Sequence, residues 1–211
     1  MVISGTNASS GLPMSAANLI TLARLPLLLL IVALLFVPCR QVQGWGLGLL
    51  ALLFLMDWLD GYLARLRRQV TELGAVLDVA LDRVVENVLW VAFLKLDLVP
   101  LWVPVFFLIR SFAVDGVRTA ALARGQTVFG MMHSRLGLFL VASRTMRFLY
   151  ALAKALTFGA LLATHGLSLH DPSWRPSLAP WVQGLVLLTV ALCLARGIPV
   201  IVDSRRLFQK T

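Results

Sequence analysis

Along the chain, apolar runs of about 18 or more residues alternate with short polar breaks, each run long enough to cross a hydrocarbon core of about 30 Å. Six spans are predicted, at Asn18–Pro38, Gly44–Leu66, Leu73–Leu96, Val99–Leu122, Leu138–Ala163 and Ala179–Ile201. The expected fold is all-α, an integral membrane bundle of six transmembrane helices. The fifth span is interrupted by Arg144, Arg147 and Lys154, so the part before Arg144 is expected to lie along the interface as an amphipathic helix, with the span itself starting later. Pro26 and Pro38 are placed to kink or end the first helix.

Composition strengthens this picture. The 211 residues are 59% hydrophobic and only 14% charged, too little polar surface to solvate a globule. The 19 Lys and Arg against 10 Asp and Glu suggest nucleic acid in a soluble chain, but no basic tail or aromatic-basic platform is present, and no nucleic-acid partner is expected. The cations fall instead on alternate loops: Arg65, Arg67 and Arg68, then Arg124 and Arg135, then Arg205, Arg206 and Lys210. By the positive-inside rule both termini are cytoplasmic. Residues 1–17 carry no charge and lack the basic region of a cleaved signal peptide, so they read as an N-terminal cytoplasmic segment. Residues 18–204 form the transmembrane domain and 205–211 a basic cytoplasmic tail. Cys39 and Cys193 make no CxxC or zinc pattern.

The acids carry the chemistry. Asp57, Asp60, Asp78 and Asp82 lie within or beside two apolar segments, where a carboxylate costs about 2.5 to 3.5 kcal/mol on the insertion scale. Asp57 and Asp60 share one helical face, which Gly61 and Ala64 continue and Arg65 ends; Gly74, Asp78 and Asp82 recur every four residues on the next helix. Two such stripes facing each other make a tetracarboxylate pocket. Like charges in a low dielectric repel, so four carboxylates stay ionised only with cations between them. Oxygen-only ligation, with no His or Cys from Met56 to Glu86, selects Mg²⁺ or Mn²⁺ over zinc. Two such ions can hold a diphosphate and leave one carboxylate free to accept a hydroxyl proton.

The run Asp57-x2-Asp60-Gly61-x2-Ala64-Arg65-x8-Gly74-x3-Asp78-x3-Asp82 resembles the complete signature of the CDP-alcohol phosphatidyltransferases. That resemblance implies that Asp57, Asp60 and Asp78 hold two metal ions, with Asp82 a further ligand or the general base. Gly61, Ala64, Arg65 and Gly74 then accommodate the CDP moiety, small side chains allowing close approach and Arg65 giving a bidentate donor to phosphate. Within the family, the opening run from Asn18 through Thr21 to Arg24 resembles the bacterial phosphatidylglycerophosphate synthases. So do Arg110 and Arg118, two turns apart, which by that likeness bind the phosphate of the acceptor. The implied reaction moves a phosphatidyl group from CDP-diacylglycerol to an alcohol, glycerol 3-phosphate first, releasing CMP. The implied setting is a multi-pass protein of the bacterial inner membrane, amid membrane lipids, with its active site toward the cytoplasm and a homodimer as the expected assembly. The sequence departs from the branch at Val79, Arg83 and Ser111, and Glu86 and Asp115 are unusual acids near the acceptor. Cardiolipin synthase and phosphatidylinositol phosphate synthase chemistry therefore stay open.

Buried acids between helices also mark cation or proton transporters. Against transport stand the lack of an inverted repeat or broken helix pair and the glycine and arginine spacing, which a nucleotide explains. Gly44 and Gly48 form a GxxxG that reads as helix packing or a dimer contact, and His133 as an interfacial side chain.

Overall fold

The computed structural model describes the backbone of residues 16–66, 72–123 and 135–208, and most side chains there, those of 60–66 excepted. The positions at Arg67, Arg68, Arg124, His133 and Lys210, and the side chains of Arg65, Arg135, Arg205 and Arg206, lie outside that description. Every regular element among the described residues is a helix: α1 Ala16–Leu35, α2 Arg40–Leu66, α3 Glu72–Lys95, α4 Trp102–Ala123, α5 Arg135–Ala142, α6 Arg144–Ser168 and α7 Trp174–Phe208. α1 packs on α2 and α3, α2 on α6, and α7 on α4, α5 and α6.

The surface is inverted relative to a water-soluble protein. Trp45, Phe112 and Trp181 are each about three-quarters exposed, whereas Arg24, Glu86, Arg110 and Lys154 are buried. Lipid is the solvent that satisfies both facts, and this is a membrane protein. Among the described residues three helices contain stretches long and apolar enough to cross a bilayer, at Arg40–Leu59, Arg144–Ser168 and Trp174–Asp203, and the described part of α1 adds the shorter apolar stretch Thr21–Leu35. α3 and α4, of 24 and 22 residues, have the length. Their inward acids and bases lower the hydropathy of any window, so the count of six spans is not established by apolarity alone. The predicted break in the fifth span is present: the helix stops at Ala142 and restarts at Arg144 across an extended Ser143.

An aromatic centre joins four helices. Phe158 of α6 meets Trp90 edge-on at 4.7 Å, lies 5.8 Å from Phe93 of the same α3, and stacks at 6.3 Å on Phe54 of α2. Trp90 stacks in turn on Phe107 of α4 at 4.8 Å. Such pairs add about 0.5–1.5 kcal/mol each beyond area burial. Polar side chains tie down the end of the bundle where α1 gives way to α2. The Gln43 side-chain amide donates to the carbonyl oxygens of Leu34 and Val37, each at 2.8 Å, as a second donor beside the N–H groups of Val37 and Cys39. His165 Nε2 donates to Leu35 O at 3.1 Å, bringing α6 to the same turn. Close approach there needs Gly166, where a Cβ would stand 2.9 Å from Gln43 Cβ.

The far ends of α3 and α6 are also finished by hydrogen bonds. Asp97 has φ 54, and Leu98 N–H donates to Phe93 O while Asp97 N–H donates to Leu94 O, the pairing of a Schellman stop. Arg175 from the start of α7 donates to Leu96 O and Asp97 O and covers that turn. Ser173 N–H donates to Asp171 Oδ1 at 2.9 Å in the turn into α7, which holds this exposed carboxyl below its ordinary range.

Candidate functional site

Fourteen residues along α2 from Gln43, about 21 Å by helical rise, a cavity of about 310 Å³ opens among α2, α3, α4, α6 and α7. Its floor is acidic. Asp57 comes from α2, and Asp78 and Asp82 come from one face of α3, where four-residue spacing stacks them. The structure thus brings three of the four predicted aspartates to one cavity. Asp60 lies in α2 one turn on, but its side chain is outside the described residues, as are those of Gly61, Ala64 and Arg65. Gly74 lies in α3 one turn before Asp78.

Cations already stand beside these acids. Arg24 of α1 places Nη1 2.7 Å from Asp57 Oδ1 and 3.6 Å from Asp78 Oδ1, so a single buried guanidinium joins two helices. Lys154 of α6 lies 3.6 Å from Asp82 Oδ1. Among the described residues no three acid, His or Cys side chains converge at metal-binding distance. The donor set itself is hard oxygen, three carboxylates on one wall, which fits a divalent cation such as Mg²⁺ or Mn²⁺ and not a soft one.

The opposite wall is basic. Arg110 and Arg118 of α4, Arg147 of α6 and Arg196 of α7 all line the cavity. Arg110 is 8% exposed, and its Nε and Nη1 find no hydrogen-bond partner among the described residues; the Nε atoms of Arg118 and Arg196 are in the same condition. Gly197 leaves the room Arg110 needs, since a Cβ there would already touch its Nε at 3.4 Å. Arg196 also lies over the Tyr150 ring, 5.2 Å from its centre.

Glu86 and Asp115, the two acids that seemed to oppose an anionic ligand, are engaged elsewhere. The Tyr150 hydroxyl donates to Glu86 Oε1 at 2.6 Å, Arg83 Nη1 donates to Oε2 at 3.2 Å, and Lys154 lies 3.8 Å from the same oxygen. Asp115 Oδ2 is 3.4 Å from Arg83 Nε, and its Oδ1 is 3.8 Å from Arg118. Both acids are therefore offset inside the wall, and Arg110, Arg147 and Arg196 face the cavity with no described ion-pair partner.

Spacing from Asp57 to Asp82 located the acidic floor, and the likeness of α4 located Arg110 and Arg118. Arg24, Arg83, Arg147, Tyr150, Lys154 and Arg196 were not assigned to the site. A signal for several of them was present: lone cations inside apolar helices are costly unless they face a partner or a ligand. Arg147, Tyr150 and Lys154 moreover recur at three- and four-residue spacing on one face of α6.

Aspartates and arginines thus line one cavity of a helical membrane bundle, the setting of a membrane-bound enzyme. The sequence profile of the CDP-alcohol phosphatidyltransferases matches residues 14–196, and the chain belongs to that family of phospholipid-synthesising transferases, whose chemistry is dependent on divalent metal. Among its relatives is a CDP-diacylglycerol–glycerol-3-phosphate 3-phosphatidyltransferase of Bacillus subtilis, 27% identical over 139 residues, which cover 64% of this chain and 59% of that protein. A cardiolipin synthase (CMP-forming) of Streptomyces coelicolor is 36% identical over 97 residues, covering 44% of this chain and 45% of the relative. A Rickettsia typhi protein with the same name as the Bacillus one is 30% identical over 101 residues, 48% of this chain and 57% of its own length. The chain thus spans less than two thirds of each of these relatives.

Proposed function

We propose that this protein transfers a phosphatidyl group from CDP-diacylglycerol to glycerol 3-phosphate, releasing CMP, in the bacterial inner membrane with the cavity toward the cytoplasm. The observation that carries the acceptor is the arginine wall, where Nε and Nη1 of the buried Arg110 have no hydrogen-bond partner among the described residues while Glu86 and Asp115 are offset internally. A buried cation with unmet donors is costly, and a dianionic phosphate is the group that repays it. The relatives named for glycerol 3-phosphate support this choice. A second reading, a phosphatidylglycerol acceptor as in cardiolipin synthesis, is favoured by the Streptomyces relative and also brings a phosphate to the wall.

Asp57, Asp60 and Asp78 are the residues that would hold two Mg²⁺ or Mn²⁺ ions, with Asp82 beside them as the base. Such ions grip a diphosphate and stabilise its leaving oxygen. Gly61, Ala64, Arg65 and Gly74 accommodate the CDP moiety. Arg110 and Arg118, joined by Arg147 and Arg196, bind the acceptor phosphate and aim its hydroxyl at the aspartate side. Asp82 takes the hydroxyl proton as the oxygen attacks the phosphorus nearest the lipid, and the bond from that phosphorus to the CMP oxygen breaks. A homodimer packed through the Gly44 and Gly48 face of α2 belongs to the same proposal.

The test is CMP release by the purified protein from CDP-diacylglycerol, offered glycerol 3-phosphate, phosphatidylglycerol, inositol phosphate, serine or choline. Turnover with glycerol 3-phosphate above the others is expected. Preference for serine or choline overturns the acceptor, and preference for phosphatidylglycerol installs the second reading.

A further inference from the structure

Lys154 belongs to neither the metal-type aspartates nor the arginine wall. It is 7% exposed, and its ammonium lies between Asp82 Oδ1 and Glu86 Oε2, at 3.6 and 3.8 Å. Two helix faces meet at this point. Asp82 and Glu86 are one turn apart on α3, and Tyr150 and Lys154 are one turn apart on α6. Glu86 is 1% exposed and is gripped by the Tyr150 hydroxyl and by Arg83 as well.

An acid buried that deeply adds little to stability, because its desolvation offsets most of what the ion pair returns. What it does supply is a fixed anion one turn from Asp82, which locates the Lys154 ammonium. Asp82 itself has a side chain 40% exposed and free to change rotamer unless something restrains it. The described contacts restrain Oδ1 alone, so the other oxygen is left to the cavity.

We propose that Lys154 is a positioning residue for Asp82, anchored in turn by Glu86 and Tyr150. The ammonium restrains Oδ1 and turns Oδ2 toward the acceptor hydroxyl, whose proton it takes. This rests on Asp82 being the base, as proposed above. It also accounts for the unusual acid Glu86, which acts on the reaction through Lys154 without touching substrate.

The experiment uses the full chain in lipid-detergent micelles, with CDP-diacylglycerol and glycerol 3-phosphate. Lys154→Met keeps the length of the side chain and removes the charge. Misplacing a general base by part of an ångström is expected to lower kcat about 10- to 100-fold, with both KM values within about twofold of wild type. Glu86→Gln should lower kcat in the same direction, and Glu86→Gln in the Lys154→Met background should add little, since both act through one contact. That double variant removes both charges together and leaves Arg83 its pairing with Asp115, so it should melt closer to the wild type than either single variant while remaining slow. Mn²⁺ binding, followed by electron paramagnetic resonance, should be the same in Lys154→Met as in wild type. An unchanged kcat overturns the proposal. So does a loss carried by acceptor KM, which would make Lys154 a phosphate ligand, or a fall in Mn²⁺ affinity that matches the fall in rate. A wild-type protein that releases no CMP with any acceptor removes instead the functional reading on which the proposal rests.

Discussion

Arg110→Met separates a ligand-binding arginine from a structural one. Arg110 is 8% exposed, its Nε and Nη1 have no partner among the described residues, and Gly197 lies against its stem. Methionine fills that stem's space and removes the charge. If the guanidinium serves only the folded bundle, its loss lowers the unfolding temperature and leaves the kinetics alone. If it awaits a phosphate, the signs reverse. The substrate-free protein loses a buried cation with unmet donors, so its unfolding temperature in detergent stays level or rises. The acceptor complex loses a charge-assisted contact of about 1.5–3 kcal/mol, which is about a 10- to 150-fold rise in the KM for glycerol 3-phosphate. The KM for CDP-diacylglycerol should stay within about twofold, because the lost interaction is uniform binding of the other substrate. Arg118→Met should move the same parameter less, since its side chain is 28% exposed and already faces Asp115 at 3.8 Å. Steady-state CMP release and a thermal melt on the same preparation measure both quantities. An Arg110→Met protein that melts earlier yet keeps its acceptor KM would refute the reasoning.

Asp57→Asn and Asp78→Asn should each abolish CMP release while the protein still inserts, and a chelator should do the same to wild type until Mg²⁺ or Mn²⁺ is restored; activity in full in either variant would remove that residue from the metal set. Asp82→Asn keeps the shape but cannot accept the hydroxyl proton, so kcat should drop by about 100-fold or more at unchanged CDP-lipid KM; a collapse of CDP-lipid affinity would make Asp82 chiefly a ligand. Gly166→Ala pushes a methyl to 2.9 Å from Gln43 Cβ, and overpacking of this kind costs about 1–3 kcal/mol. Its melting temperature should fall while the turnover of folded protein is unchanged, because the clamp is some fourteen residues of α2 from the cavity.

The helices were legible because apolar runs of spanning length have few other uses, and the break at Ser143 was legible because three cations in one apolar run do not sit in hydrocarbon together. The start of α2 was less so. Hydropathy begins the span at Gly44, whereas the helix begins at Arg40, since Gln43 earns its place by a contact with the end of α1 that no local pattern encodes. The acidic floor was readable because both of its stripes are local, three or four residues apart within one helix. Of the arginines, the likeness of α4 pointed to Arg110 and Arg118, whereas Arg147 and Arg196 come from two other helices and each alone resembles a snorkelling interfacial cation. For Glu86 and Asp115 the charge was visible in the sequence, but not the contacts with Arg83, Tyr150 and Lys154, which lie on a partner face or one helical turn away.

If the proposed function holds, the distribution of charge across the cavity lets one site tell two phosphate-bearing substrates apart. Arg24 and Lys154 stand against the aspartates, so the acidic side is partly compensated by the protein's own cations. The far wall has Arg110, Arg147 and Arg196 with no described acid against them, and Asp115 and Glu86 are committed to Arg83, Arg118 and Lys154. A diphosphate that arrives with divalent cations can approach carboxylates, whereas a bare phosphate is repelled by them and held by guanidinium groups. On that reading the two substrates would be sorted by whether metal accompanies their phosphate, before any contact with base, lipid or glycerol is made. Such sorting needs the two walls to stay apart, and the aromatic centre of Trp90, Phe107 and Phe158 keeps α3, α4 and α6 at fixed spacing directly beneath the site. In a dry interior an uncompensated arginine wall is a standing cost to the fold, so its presence argues for a ligand whose binding recovers that cost at each turnover.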